Sequence, residues 1–384
     1  MVATALAIGS VGRQSAASAQ RPASGSAETA AVRAAQPAPL SPIDLETKID
    51  ELLAAHAAVN GFSGAVLVAS AGRPIFAKGV GYANREWQIP NTTDTKFRIG
   101  SITKQFTSML VMQLREQGKV RVEDSICSYL APCPDAWKPV TIHHLLTHTS
   151  GIKNFTDLPA WMPTMMMPRT HEQMVALFRD LPLEWTPGEK YGYSNSGYLL
   201  LGLVIEKITG KKYEMVLQSS ILTPVGMSDT GYDRSGTVVS RRASGYTGQG
   251  NAVVNARPVD MEQTFGAGSL YSTVEDLLKW DQVLYTEKLL PQPAKTLMWT
   301  PFKEGYAYGW ILPPPTSTDP FGSHSRMVHA GGINGFSSFI VRVPDANVTF
   351  IVLSNNDSAN ASNIGRDIGS IYYGRPYTIP SVPR

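Results

Sequence analysis

The sequence predicts an α/β fold of the α+β type, in which an antiparallel sheet built from both chain ends is flanked by helices. Alternating apolar residues over 62–84, around the turn residues Ala71-Gly72-Arg73-Pro74, predict a β-hairpin near the start. Strand patterns return near the end, where Pro344-Asp345-Ala346-Asn347 is a turn signal. These later strands are predicted at residues 306–312, 326–329, 337–343 and 348–354.

Helical signals fill the stretch between the two strand-rich blocks. Apolar residues recur at helical spacing over 102–114, 198–208 and 274–284. Gly118 and Gly210 follow the first two helices as stop signals, and Ser272-Thr273 caps the third. We therefore predict an α/β lobe formed by residues 43–104 and 266–384, with a mostly helical lobe, residues 105–265, inserted into it.

Composition limits the kinds of partner. With 384 residues the chain exceeds the ~250 to 300 at which a single core stops growing, so two lobes are expected. The 34 basic and 31 acidic residues are spread along the chain without a basic run, which argues against nucleic acid. A small molecule or a short peptide is the better substrate. The sequence carries no signal of oligomeric state.

The first 42 residues differ from the rest. A short apolar stretch over 2–11 and the small residues Ala17-Ser18-Ala19 fit a secretory signal with its cleavage site, followed by a disordered Ser/Ala/Pro-rich segment. The alternatives are a disordered tail without a signal or a misplaced start codon. Later in the chain no apolar run approaches ~18 residues, so we expect no membrane span. We predict a periplasmic or secreted protein.

The chain has two cysteines, Cys127 and Cys133, with five residues between them. Export would permit a local disulfide, whereas two unpaired thiols are the other possibility. Sequence alone does not reveal the Cβ geometry that a disulfide requires. Both possibilities stay open at this point.

A serine and a lysine lie three residues apart where an apolar-periodic helix begins. Residues i and i+3 share a helical face, so the amine of Lys104 can approach the hydroxyl of Ser101. A serine hydroxyl is a weak nucleophile, and a lysine whose charged form is disfavoured can act as its base. By itself the S-x-x-K pattern is weak, because a serine N-cap with an exposed lysine also satisfies it.

Two later motifs strengthen this interpretation. Tyr193-Ser194-Asn195 lies in a loop that enters a helix, and His329-Ala330-Gly331-Gly332 lies on a predicted late strand. Together with Ser101 and Lys104, in this order and spacing, they resemble the penicillin-recognising serine hydrolases. That family includes class C β-lactamases, D,D-peptidases and related esterases. The resemblance covers roughly residues 45–375 and extends to the stretches 145–152, 266–277 and 308–310.

The resemblance implies a β-lactamase/transpeptidase-like fold, an acyl-enzyme mechanism and no cofactor. Ser101 would be the nucleophile, Lys104 would help deprotonate it, and Tyr193 would relay the proton to the leaving group. The backbone N–H groups of Ser101 and Gly332 would form the oxyanion hole. The implied site consists of catalytic Ser101, Lys104 and Tyr193 and substrate-binding Asn195, His329, Gly331 and Gly332.

His329 departs from typical class C β-lactamases, which carry lysine at that position. We therefore expect uncharged substrates to be preferred over β-lactams. Ester, amide, D-amino-acid peptide and β-lactam hydrolysis all share these residues, as does a penicillin-binding sensor that acylates without turnover. Zinc binding by His144 and His148 is a weaker alternative, because the glutamate of H-E-x-x-H is missing. We expect no metal site.

Overall fold

The structure, a computed structural model, describes residues 41–316 and 319–381. In chain order the helices of these residues are α1 (Pro42–Asn60), α2 (Thr103–Glu116), α3 (Ile142–Leu146), α4 (His171–Ala176), α5 (Asn195–Thr209), α6 (Tyr213–Leu217), α7 (Thr223–Val225), α8 (Phe265–Gly268), α9 (Val274–Val283), α10 (Gln292–Met298) and α11 (Ala361–Tyr372). The strands are β1 (Gly64–Ser70), β2 (Arg73–Val80), β3 (Tyr82–Asn84), β4 (Ile89–Pro90), β5 (Phe97–Arg98), β6 (Gly231–Tyr232), β7 (Tyr246–Thr247), β8 (Val254–Asn255), β9 (Leu270–Ser272), β10 (Met327–Ile333), β11 (Phe336–Val343) and β12 (Val348–Ser354). The predicted signal segment lies outside the described residues.

A five-stranded antiparallel sheet joins the two ends of the chain, as predicted. Its strand order is β10-β11-β12-β1-β2, and Leu67 of β1 lies opposite Ile351 of β12. Because side chains alternate along a strand, Val66 and Val68 face one side while Leu67 faces the other. The first side packs against α1 and α11, and the second packs against the larger core that contains α2, α5 and α9. The sheet therefore lies between two helical layers.

The helix α1 was not predicted from sequence, although its local signals are clear. Ser41 accepts a hydrogen bond from the N–H of Asp44, proline occupies the first turn, and Gly61 ends the helix in a left-handed conformation. The buried residues are Leu45, Ile49, Leu52, Leu53 and His56. Their spacing places them on one face, against α11. Within the described part of the chain, every helix is too short or too polar to cross a bilayer.

The predicted strand at 306–312 is wrong. The segment forms a turn with isolated bridges, including one between Tyr306 and Ile311. Gly305 and Gly309 both have left-handed φ angles, of 72° and 75°, which interrupt an extended strand. At Gly309 a Cβ atom would lie 2.8 Å from the carbonyl oxygen of Lys104, so close packing requires glycine there. The predicted division into two lobes, with an insertion over 105–265, stays a prediction.

The two cysteines form a disulfide. The Cα atoms of Cys127 and Cys133 are 5.3 Å apart, within the usual range for a bridged pair. A short 3₁₀ helix, Ile126–Ser128, begins this segment, and the side chain of Ser125 caps it by accepting the N–H of Cys127. The disulfide therefore closes a tight loop. Sequence alone had not decided between this pairing and two unpaired thiols.

Candidate active site

Ser101 lies in a single 3₁₀ turn, Gly100–Ile102, between β5 and α2. The turn packs against β10, which is the strand at one end of the sheet order. Gly100 has a left-handed φ of 50°, and a Cβ atom there would lie 2.9 Å from the backbone nitrogen of Gly332. Only glycine permits this approach without strain. The turn thus leaves Ser101 partly exposed beside the edge of the sheet.

Lys104 is fully buried one helical turn after Ser101. Its Nζ lies 3.0 Å from Ser101 Oγ, 2.8 Å from Asn195 Oδ1 and 2.8 Å from the carbonyl oxygen of Ala267. These partners are all uncharged. Desolvation by burial holds the pKa of Lys104 well below its ordinary value, so the neutral amine becomes accessible. A neutral amine at this distance can accept the proton of Ser101.

Tyr193 contacts the same oxygen from the other side. Its hydroxyl donates a hydrogen bond of 2.7 Å to Ser101 Oγ, and Lys104 Nζ lies 4.8 Å from the centroid of its ring. Burial raises the pKa of Tyr193, so the phenol keeps its proton in the resting state. A neutral phenol next to a nucleophile is placed to donate a proton to a leaving group. The structure therefore brings Ser101, Lys104 and Tyr193 together.

Asn195 begins α5 and is held from two sides. Its N–H donates to Asn154 Oδ1 at 3.0 Å, and its Nδ2 donates to Thr156 Oγ1 at 3.2 Å. The remaining Oδ1 thereby faces Lys104. Asn154 and Thr156 were not among the predicted site residues, because nothing in the local pattern around them connects them to a helix that begins about forty residues later.

Gly331 and Gly332 place β10 against the nucleophile turn. A Cβ atom on Gly331 would lie 2.0 Å from the carbonyl oxygen of Ile99, which itself accepts a hydrogen bond of 2.8 Å from Ser338 Oγ. Gly332 is exposed and lies beside Gly100. The backbone of Gly332 is therefore close to Gly100, in the turn that carries Ser101. Their shared role as an oxyanion hole stays a prediction.

His329 is buried behind the site, with 3% of its surface exposed. Its Nδ1 lies 2.6 Å from the carbonyl oxygen of Ala330, and its Nε2 lies 3.0 Å from the hydroxyl of Tyr306. A carbonyl only accepts, so Nδ1 carries the proton and Nε2 accepts from Tyr306. Burial, and secondarily the charge of Lys104, lowers the pKa of His329 to about 3. The ring is neutral, and a direct contact with substrate stays a prediction.

The histidines considered for zinc have other partners. His144 Nδ1 accepts the N–H of Thr141 at 3.2 Å, which caps α3. His148 Nδ1 accepts the N–H of Ser194 at 3.1 Å. Among residues 41–316 and 319–381, no three His, Cys, Asp or Glu side chains are grouped so that they could hold a metal ion.

Comparisons with known proteins cover most of the chain. A family model described as beta-lactamase matches residues 47–369. Penicillin-binding protein 4* of Bacillus subtilis (strain 168) is 30% identical over 345 residues, which cover 84% of this chain and 75% of that protein. The octameric penicillin-binding protein homologue from Pyrococcus abyssi has a TM-score of 0.74 and 29% identity, and the match covers 88% of this chain and 78% of that one. D-amino acid amidase from Ochrobactrum anthropi SV3 has a TM-score of 0.74 and 26% identity, covering 85% and 97% of the two chains.

These matches confirm the resemblance that the three motifs indicated, and they confirm the β-lactamase/transpeptidase-like fold. The family model spans most of the chain, including Ser101, Lys104, Tyr193 and His329. The observed sheet, formed by both chain ends and flanked by helices, agrees with the solved structures. The chain therefore belongs to the beta-lactamase family.

Proposed function

We propose that this protein is a serine hydrolase that acts through an acyl-enzyme on Ser101. One observation carries the proposal: Lys104 Nζ, at 3.0 Å, and Tyr193 Oη, at 2.7 Å, both contact Ser101 Oγ. Burial disfavours the charged form of each of these two groups, which suits the lysine to accept a proton and the tyrosine to donate one.

The proton path follows from this geometry. Neutral Lys104 takes the proton of Ser101 while the serine Oγ attacks the substrate carbonyl carbon. The N–H groups of Ser101 and Gly332 stabilise the negative charge on the carbonyl oxygen. As the bond to the leaving group breaks, Tyr193 donates its proton to that group and regains one from Lys104. Water then releases the acyl group by the same path, which restores the starting protonation of all three residues.

We propose an ester, an amide or a D-amino-acid peptide as the substrate class, in preference to a β-lactam. The similarity to D-amino acid amidase from Ochrobactrum anthropi SV3 supports amide substrates. The neutral state of His329 supports uncharged substrates, because no permanent cation stands at the position where class C β-lactamases carry lysine.

A substrate panel tests this proposal with wild type and His329→Lys. Short-chain p-nitrophenyl esters or a D-alanyl-D-alanine peptide should give a higher kcat/KM than nitrocefin, and His329→Lys should shift the ratio toward nitrocefin. The reason is that a lysine side chain stays protonated over a pH range in which a buried histidine is neutral. With a pKa lowered to about 3, His329 should contribute no change in this ratio between about pH 5.5 and about 8.5.

His324→Lys is the matched control, because it introduces the same charge beside Asp345, outside the site. It should leave the substrate ratio unchanged. A wild-type preference for nitrocefin without any gain in His329→Lys would show that His329 does not set the substrate class. Acylation of Ser101 without turnover of any substrate would instead identify a penicillin-binding sensor.

We also propose that the protein works outside the cytoplasm, in the periplasm or as a secreted protein. The disulfide between Cys127 and Cys133 supports this location, because disulfides persist mainly in oxidising compartments. Expression in a bacterial host with the native N-terminus should yield protein cleaved near Ala19, as measured by N-terminal sequencing. An uncleaved cytoplasmic product would argue against export.

A further inference from the structure

We propose that His148 is a positioning residue that holds the Tyr193 hydroxyl on Ser101. The inference rests on the proposed function, because it assigns a supporting role for the proton donor of that mechanism. His148 is 1% exposed and lies immediately after α3, in a chain segment far from Tyr193 in sequence. Two hydrogen bonds and contacts of its ring with Tyr191 and Tyr193 connect His148 to the Tyr193 loop.

The hydrogen bonds bracket Tyr193 in the chain. The carbonyl oxygen of His148 accepts the N–H of Gly192 at 2.8 Å, and its ring Nδ1 accepts the N–H of Ser194 at 3.1 Å. One residue thus binds the backbone on both sides of Tyr193. His148 has a left-handed φ of 57°, a conformation that histidine and asparagine adopt more readily than most residues. Such a strained backbone tends to occur at functional sites.

The ring of His148 also supports the Tyr193 ring directly. The two ring centroids are 4.3 Å apart, with an interplanar angle of 39°. Tyr306 and Tyr198 contact the His148 ring at centroid distances of 4.5 Å and 5.1 Å. The imidazole is therefore packed among aromatic rings, and its contact with the Tyr193 ring limits the positions that this ring can adopt. Loss of the ring would leave space beside the phenol whose hydroxyl contacts Ser101.

The protonation state of His148 suits this role. Nδ1 accepts a hydrogen bond, so the neutral ring carries its proton on Nε2, for which the described residues supply no hydrogen-bond partner. Burial holds the pKa of His148 well below its ordinary value, and the charges of Lys104 and His329 lower this pKa to a smaller extent. A protonated ring would turn Nδ1 into a donor facing another donor. The neutral ring is thus the form that binds the Ser194 N–H.

The expected effect is geometric. Misplacement of a reacting group by about 1 Å costs on the order of 10²-fold in rate. His148→Ala removes the ring and the acceptor, so the rate of Ser101 acylation should fall by about that factor. His148→Asn keeps an acceptor at the position of Nδ1 and tolerates the left-handed backbone. It should recover part of the loss and retain roughly a tenth of the wild-type rate.

The test is a double-mutant cycle with Tyr193→Phe, measured as the labelling rate of Ser101 by a fluorophosphonate and as kcat and KM for a short-chain alkyl ester, whose alkoxide leaving group must take up a proton. If His148 acts through Tyr193, then His148→Asn and His148→Ala should lower kcat in wild type with little change in KM. Neither should lower kcat further in the Tyr193→Phe background. A merely structural histidine would give the same loss in both backgrounds.

His56→Asn is the matched control. His56 is also a buried histidine, in α1 on the other side of the sheet, where it contacts Asn60. Its substitution should leave the labelling rate unchanged, and thermal unfolding of every variant reports on folding. If His148→Ala does not fold, the cycle with His148→Asn alone decides the matter. Additive losses from His148 and Tyr193 would overturn this inference while leaving the proposed function intact. Full activity of Tyr193→Phe would overturn the proposed role of Tyr193 and this inference with it.

Discussion

Ser101→Ala is expected to lower kcat for p-nitrophenyl acetate by roughly 10⁶-fold, the order of loss seen when a catalytic serine is removed. The substitution deletes the oxygen to which Lys104 and Tyr193 both bind, at 3.0 Å and 2.7 Å. Without that oxygen there is no nucleophile to attack the substrate and no hydroxyl proton for Lys104 to accept. KM should change little, because the backbone N–H groups of Ser101 and Gly332, which we propose bind the carbonyl oxygen, remain.

Ser108→Ala is the matched control for this experiment. Ser108 lies in α2, the helix that follows the Ser101 turn, is buried, and also contacts a tyrosine hydroxyl, that of Tyr198 at 3.1 Å. Its loss should leave kcat near the wild-type value. A fluorophosphonate should label Ser101 in wild type and not in Ser101→Ala, as shown by peptide mass mapping. Labelling of a different serine, or wild-type turnover by Ser101→Ala, would contradict the assignment of the nucleophile.

Lys104→Ala and Tyr193→Phe are each expected to lower kcat by roughly 10²- to 10⁴-fold, the usual contribution of a general acid or base. The double mutant should lose much less than the product of the two effects. The physical reason is that both side chains serve one oxygen. Once Lys104 no longer accepts the serine proton, the proton donor Tyr193 contributes less to the rate.

The pH profile gives a second measure of Lys104. An ordinary lysine loses its proton near pH ~10.4, and burial lowers the pKa of Lys104 well below that value. The active, unprotonated form of Lys104 is therefore present above the lowered pKa. Wild-type kcat/KM should rise with pH on a limb that lies below pH ~10.4, and that limb should be missing in Lys104→Ala.

Lys295→Ala is the control for burial of a lysine as such. Lys295 is also buried with a lowered pKa, but its Nζ donates to the carbonyl oxygens of Leu284 and Thr286, between α9 and α10. Its substitution should change the free energy of unfolding and leave the dependence of kcat/KM on pH unchanged.

Independent, multiplicative losses in the Lys104 and Tyr193 variants would show that the two residues do not form one proton-transfer unit.

Local periodicity was sufficient for much of the fold. The strands β11 and β12, the hairpin β1–β2 and the helices α2 and α5 all appear at or near the predicted residues. In each case the signal is short-range, because alternation, helical spacing, caps and turn residues act over a few residues. The segment at 306–312 was predicted wrongly because Gly309, which packs against the Lys104 carbonyl, has a left-handed backbone that interrupts the strand, and the alternation of side chains does not reveal this contact.

The sequence by itself determined the pairing of Ser101 with Lys104, since three residues in a helix correspond to nearly one turn. Only the tertiary structure decided the environment of that pair. The contacts of Lys104 with Ala267 and Asn195, the bracketing of Tyr193 by His148 and the inward orientation of His329 all join segments far apart in the chain. Proton affinity depends on desolvation and on neighbouring groups, which are properties of the packed interior and not of spacing along the chain.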